Sequence, residues 1–284
     1  MSDINGYLIV AACAAIVTFA VTPFVMSLAR LKNWMAQPDP RKVHTTPTPD
    51  VGGVALLVGI ITALLLAWQM DRFGPLFDGS SEMLGVAIAA IAICAIGFID
   101  DIREISAPAK VAGTAGVGMV LVWAGVTMFY FRVPYFDVFV LSNDWIPLVT
   151  ILWLLVMTEA INLIDGLDGL ATGIVAIASA AFFLYSRHLG DLGLLVEPNI
   201  GPLVAAVTFG ACIGFLPHNF NPAKIFMGDS GALLLGLMLA ISTSVVGGRA
   251  DPATQDFNSQ TYFFLAPLFI PLLILGVPIF DVLF

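Results

Sequence analysis

Residues 145–186 read WIPLVTILWLLVMTEAINLIDGLDGLATGIVAIASAAFFLYS. Two apolar runs, 145–161 and 170–186, flank a short break that carries Asn162, Asp165 and Asp168. Each run is as long as a helix needs to be to cross the hydrocarbon core of a bilayer. A carboxylate at bilayer depth costs roughly 2.5 kcal/mol or more, so two acids this near lipid mark a site. A tight turn of Asp and Gly between helices is the competing explanation, but it has no need of Asn162 or of a second acid. The spacing of three puts Asp165 and Asp168 on one face of any helical turn. Gly166, Gly169 and Gly173 permit close approach of backbone or ligand and a broken helix.

The same pattern extends in both directions. Apolar runs fall at about 7–29, 51–70, 83–99, 111–131, 145–161, 170–186, 201–217, 231–246 and 262–284. Composition agrees: 59% of the residues are hydrophobic and 11% charged, where a soluble domain carries about 25% charged residues. The expected fold class is therefore all-α, a polytopic membrane bundle of about nine transmembrane helices forming one unit over 1–284. The first run follows Asp3 rather than a basic region, and no small-residue cleavage site follows it, so it reads as a span. A net charge of −9 argues against an electrostatic nucleic-acid partner. Cys13, Cys94 and Cys212 lie inside apolar runs without metal-ligand spacing and read as small buried hydrophobes.

Nine spans distribute the loops over two sides. Seven basic residues (Arg30, Lys32, Arg41, Lys42, Arg103, Lys110 and Lys224) fall on one side, and Arg72, Arg132, Arg187 and Arg249 on the other. The excess makes the first side cytoplasmic and puts the N-terminus outside. Asp100, Asp101, Asp165, Asp168 and Asp229 all fall at span ends on that inner side, within short Gly-rich or apolar breaks. The outer acids sit in ordinary polar loops.

Three further inner segments carry chemistry. RKVHTTPTPDVGG at 41–53 offers Arg41, Lys42 and His44 to phosphate on a proline-stiffened loop, although a topogenic basic loop explains it too. GFIDD at 97–101 sets Asp100 beside Asp101, which repel unless a cation, a proton or a basic partner such as Arg103 relieves them. Lys110 follows. HNFNPAKIFMGDSG at 218–231 combines Asn219, Lys224, Phe226 and Asp229. Here Lys224 can contact phosphate, Phe226 can stack on a base or simply pack, and Asp229 can ligate a hard cation. His218 reads as a satisfied histidine rather than a ligand. Acids and amides without clustered His or Cys suggest Mg²⁺, with Mn²⁺ as the alternative, rather than zinc. A hard cation beside Lys and Arg is equipment for a diphosphate substrate. No G-x-x-x-x-G-K-[ST] motif is present.

GFIDD at 97–101, NLIDGLDGLATG at 162–173, NPAKIFMGDSG at 221–231 and RKVHTTPTPDVGG at 41–53 occur in an order that resembles the polyprenyl-phosphate N-acetylhexosamine-1-phosphate transferase family, glycosyltransferase family 4. The resemblance implies transfer of a sugar 1-phosphate from a UDP-N-acetylhexosamine to a polyprenyl phosphate, undecaprenyl or decaprenyl, with release of UMP. This would be the first membrane step of a cell-envelope glycan, at the cytoplasmic face of the plasma membrane, with Mg²⁺. Carried over by motif, Asp229 and Asn162 would hold the metal. Asp100 and Asp101 would be catalytic, and Asp165 and Asp168 would bind nucleotide or support the metal. Asn219 and Phe226 would hold the uridine; Lys42, His44, Lys110 and Lys224 would contact the donor. A homodimer is left open.

The wording NLIDGLDG looks closer to the GlcNAc-1-phosphate branch, with phospho-MurNAc-pentapeptide transfer as the alternative. Two features depart from the family: Ala232 stands where the family carries Ser, and the His-rich loop expected after Phe284 is absent from the 284 residues. An ion-coupled secondary transporter is the rival of another class. It would place its acids near the midplane between repeats, and no convincing repeat is visible; Glu159 is the one acid clearly within a span. A catalytically dead scaffold is the third reading.

Overall fold

The computed structural model describes residues 4–36, 47–132, 138–193, 195 and 197–247. Eight of the nine apolar runs are helical there. The helices are α1 (Asn5–Lys32), α2 (Gly53–Trp68), the short α3 (Gly74–Phe77), α4 (Glu82–Arg103), α5 (Ala107–Trp123), α6 (Trp145–Ile164), α7 (Leu170–Asp191), α8 (Gly201–Asn219) and α9 (Gly228–Gly247). The ninth run, 262–284, lies outside the described residues. Six of the helices are long and apolar enough to be complete spans. A seventh is made if α2 is joined to Asp71–Phe77 across a bend of 91°.

Two boundaries move from where hydropathy puts them. The run 111–131 is helical only to Trp123. Gly125 takes a φ of 92°, and the chain then enters a hairpin of β3 (Tyr130–Arg132) and β4 (Val138–Val140). At the other end α5 starts early, at Ala107, where Pro108 supplies a φ ready for a first helical turn. The second correction concerns Asp165 and Asp168. Helix α6 runs on to Ile164 and α7 begins only at Leu170, so both acids lie in the connecting turn and share no helical face.

Helix α9 is the centre of the bundle. Its apolar stretch is 94% buried, against 28% for α1 at the periphery, and it packs on α2, α4, α6, α7 and α8. A helix that is apolar all round belongs in such a position. Two hydroxyls near its far end are satisfied locally: Ser242 Oγ donates to the Met238 carbonyl at 3.0 Å and Thr243 Oγ1 to that of Ala240 at 2.9 Å. Trp153 Nε1 of α6 donates to Thr243 Oγ1 at 2.8 Å, tying the two helices together. On the periphery α1 and α8 meet through small residues, Ala11 and Ala15 against Gly210 and Gly214. This is the close approach that membrane helices use where lipid removes the hydrophobic drive.

The consequence for the site is directional. Helices α4, α6 and α8 end, and α2, α5, α7 and α9 begin, at one end of the bundle, and every inner acid of the sequence motifs gathers there.

Candidate active site

Adjacent residues on a helix point about 100° apart, so Asp100 and Asp101 at the end of α4 face different neighbours. Asp100 turns toward α5. Its Oδ2 lies 3.0 Å from Lys110 Nζ, and its Oδ1 accepts the Ile105 N–H at 2.7 Å. The cation that relieves Asp100 is therefore Lys110 on the next helix, while Arg103 is exposed. Asp101 turns toward α9 and accepts the backbone N–H groups of Asp229, at 2.7 Å, and Ser230, at 3.1 Å. The first turn of a helix leaves donors without intrahelical partners; here a carboxylate 128 residues earlier in the chain caps them.

This cap fixes where Asp229 points. The Asp229 carboxylate bonds Lys110 Nζ as well. Asn162, near the end of α6, completes the group: with its amide oriented to satisfy both neighbours, its nitrogen donates to Asp229 Oδ1 at 3.0 Å and its oxygen accepts from Lys110 Nζ at 3.1 Å. Oxygens of Asp100, Asp229 and Asn162, from three different helices, thus converge on one ammonium. The Lys110 side chain is 12% exposed, so these oxygens, rather than water, are its main partners.

Two glycines allow the helix tips to come so close. A Cβ on Gly97 of α4 would stand 2.5 Å from the Asp229 carbonyl carbon and oxygen. Gly228 takes a φ of 67°, where a side chain is strained, and a Cβ there would meet the Asp101 carboxylate. The string MGDSG is a helix start threaded between the ends of α2 and α4.

The α6–α7 turn lies beside this cluster. Asp165 is pushed up to about 7 by burial first, then by the charges of Asp50, Asp229 and Asp168. Asp50 is the residue sequence reasoning left unassigned. It ends the proline-rich loop, and its charge reaches both Asp101 and Asp165. Its only signal in the sequence is its place two residues before the Gly52-Gly53 pair that opens α2.

Asp168 faces the segment between α8 and α9: its Oδ2 accepts Asn221 Nδ2 at 3.1 Å and the Ala223 N–H at 2.9 Å. That segment is also pinned from the first loop, since the Phe226 N–H donates to the Pro49 carbonyl at 2.8 Å and Gly52 N–H to the Phe226 carbonyl at 3.0 Å. Asn219 is buried, with Oδ1 accepting from Thr172 Oγ1 at 2.9 Å and Nδ2 donating to the Ile225 carbonyl at 3.1 Å. One end of its amide is tied to α7 and the other holds the loop, which leaves neither directed to a ligand. Lys224 is exposed and Phe226 half-buried on the same loop. His218 packs on Phe19 at the α1–α8 seam. Lys42 and His44 lie outside the described residues; on either side of them strands β1 (Met35–Ala36) and β2 (Thr48–Pro49) pair antiparallel.

Among the described residues no three His, Cys, Asp or Glu side chains form a metal-binding group on their own. The oxygens that do converge are two carboxylates and an amide, the donor chemistry of Mg²⁺ or Mn²⁺, and they already surround a cation in the form of the Lys110 ammonium. The set fits a hard divalent ion.

Comparison with known proteins places these helices. The model of glycosyl transferase family 4 matches residues 83–247. The decaprenyl-phosphate N-acetylglucosaminephosphotransferase of Mycobacterium leprae is 38% identical over 279 residues, covering 95% of this chain and 68% of the relative. A Bacillus subtilis protein named as a probable undecaprenyl-phosphate N-acetylglucosaminyl 1-phosphate transferase is 35% identical over 265 residues, covering 93% and 66%. The phospho-N-acetylmuramoyl-pentapeptide-transferase of Mycobacterium bovis is 33% identical over 271 residues, covering 82% and 74%. The chain thus spans about two thirds of the length of the first two. Every residue of the Asp100, Lys110, Asn162 and Asp229 cluster lies inside the matched segment, and the chain belongs to glycosyl transferase family 4.

Proposed function

We propose that this protein, as one membrane domain, transfers N-acetylglucosamine 1-phosphate from UDP-N-acetylglucosamine to a polyprenyl phosphate. UMP is released at the cytoplasmic face, with the N-terminus outside. The observation that carries the reading is the convergence of Asp100, Asp229 and Asn162 on one cation at the tips of three apolar helices. A site there meets a water-soluble donor and a lipid acceptor together. The names of the relatives support the acceptor and the sugar.

In the reaction, an oxygen of the lipid phosphate attacks the sugar-bearing phosphorus of the donor. A new phosphoanhydride bond forms, and the bond to the bridging oxygen breaks. UMP leaves with that oxygen and its electron pair. Direct displacement of this kind needs positioning and charge neutralisation rather than a protein nucleophile. A bound Mg²⁺ or Mn²⁺ would be held by Asp229, Asn162 and Asp100, and would neutralise charge on the phosphoryl oxygens.

The chain's own residues do the rest. Asp101 holds the first turn of α9, and through it the Asp229 carboxylate, in place. Asp100 and Lys110 flank the point of transfer, one repelling and one attracting phosphate oxygens. Asp168 and Asn219 hold the α8–α9 loop, so that Lys224 and Phe226 face the nucleotide. Asp168→Ala accordingly raises the KM for UDP-N-acetylglucosamine about tenfold with a smaller change in kcat, since hydrogen bonds to a charged acceptor contribute about 1.5–3 kcal/mol. Steady-state kinetics over a donor series measures the split.

The full protein, purified in a mild detergent, is to be given UDP-N-acetylglucosamine, undecaprenyl phosphate and Mg²⁺, and UMP measured. UMP release with a lipid-linked sugar diphosphate supports the reading. No UMP with any UDP-N-acetylhexosamine, from a folded sample, ends it. Release only with UDP-N-acetylmuramoyl-pentapeptide reassigns the donor.

A further inference from the structure

The Lys110 ammonium sits where a divalent cation would have to sit. Asp100 Oδ2 at 3.0 Å, the Asn162 amide oxygen at 3.1 Å and Asp229 Oδ2 are its three oxygen partners. The same three side chains are those that would hold the metal in the function proposed above. Two cations cannot share one set of oxygens. Like charges at contact distance in so enclosed a site repel strongly, and the metal carries two charges.

We propose that Lys110 and the divalent cation take turns in this cage. The ammonium fills it in the resting protein and swings out when the cation arrives, to meet the diphosphate of the donor. This deepens the transferase reading and rests on it. Three features of the chain support the exchange. Lys110 lies in the first turn of α5, where the helix dipole disfavours positive charge; its hold on the cage is thus opposed by its own helix. Its four-carbon stem can reorient without moving the backbone. Asp229 lies in the first turn of α9, capped by Asp101, so the oxygens stay in place after the ammonium leaves.

The exchange also has a charge logic. Asp100 and Asp229 bring two negative charges and Lys110 one positive, so a divalent ion without the lysine neutralises the pair. A divalent ion beside the lysine leaves a surplus that an incoming diphosphate cancels. Metal and nucleotide therefore strengthen each other's binding through Lys110, as linkage requires.

The test is Mn²⁺ binding to the purified full-length protein, read by electron paramagnetic resonance, with UDP as the nucleotide probe. Lys110→Met is expected to bind Mn²⁺ about tenfold more tightly than wild type without UDP, because the competent, vacant cage is no longer a minor state. UDP should tighten Mn²⁺ binding in wild type and do so less in the variant. Lys110→Arg, which keeps a cation at the site, should bind Mn²⁺ no more tightly than wild type. Equal or weaker Mn²⁺ binding by Lys110→Met overturns the exchange, as does a failure of both proteins to bind Mn²⁺. These outcomes are independent of turnover. An enzyme that releases UMP normally but shows no gain in Lys110→Met loses the exchange and keeps the function, and one that shows the gain without UMP release does the reverse.

Discussion

Asp229→Asn is expected to lower UMP release by about a thousandfold while leaving the bundle folded. The change keeps the volume and the hydrogen bond to Asn162 but removes the charge. Single donors or charges aimed at a reacting centre in a water-poor site contribute about 10²–10³ in kcat, and Asp229 does two things at once. It is an oxygen of the cage around the cation, and it is the acid in the first turn of α9. The second role contributes only about 0.3–1 kcal/mol through the helix dipole, so the thermal midpoint should move little. Initial rates across a Mg²⁺ titration, with a melting curve beside them, make the measurement. A near wild-type rate would remove Asp229 from the chemistry.

The second large effect belongs to Asp101, and its signature differs. Asp101→Ala leaves the Asp229 and Ser230 N–H groups without their acceptor. Each buried donor left unmade costs about 1–3 kcal/mol, and loss of a cap alone costs about 1 kcal/mol. Both stability and turnover should therefore fall, the rate by about a hundredfold, because the tip of α9 loosens and Asp229 with it. Asp101→Asn retains one good acceptor and should recover part of both losses. A residue acting as a base would not show that ranking, since Asn is as inert as Ala in proton transfer. Equal rates for the Ala and Asn variants, with unchanged melting, would return Asp101 to a direct role.

The two aspartates illustrate what was legible in the sequence. Runs of 16 or more apolar residues announce helices because the bilayer imposes a length, and eight of them are helical where described. The ends were less legible. Hydropathy does not register the φ of 92° at Gly125, so the apolar residues after it looked like more helix and instead lead into the β3–β4 ribbon. The acids at span ends were visible as expensive groups needing a reason, and Asp100, Lys110, Asn162 and Asp229 do meet. What each acid does was hidden. The partners of Asp101 and Asp168 are backbone N–H groups 128 and 55 residues away, and a backbone donor leaves no letter in a sequence. The amide of Asn219 was hidden for the same reason, since it closes on Thr172 and a carbonyl. Asp50 looked like the end of a loop because nothing local shows that the loop folds back onto α9.

The central place of α9 bears on how the protein is made. It is synthesised after α1 to α8, yet it is the wedge that touches five of them. A nascent chain that has delivered only those eight carries Asp100, Lys110 and Asn162 without the Asp229 carboxylate that meets them. Copies that end before α9 lack Asp229 and are expected to release no UMP. Among the described helices, the last to emerge thus carries both the Asp229 carboxylate and the most buried packing surface of the bundle.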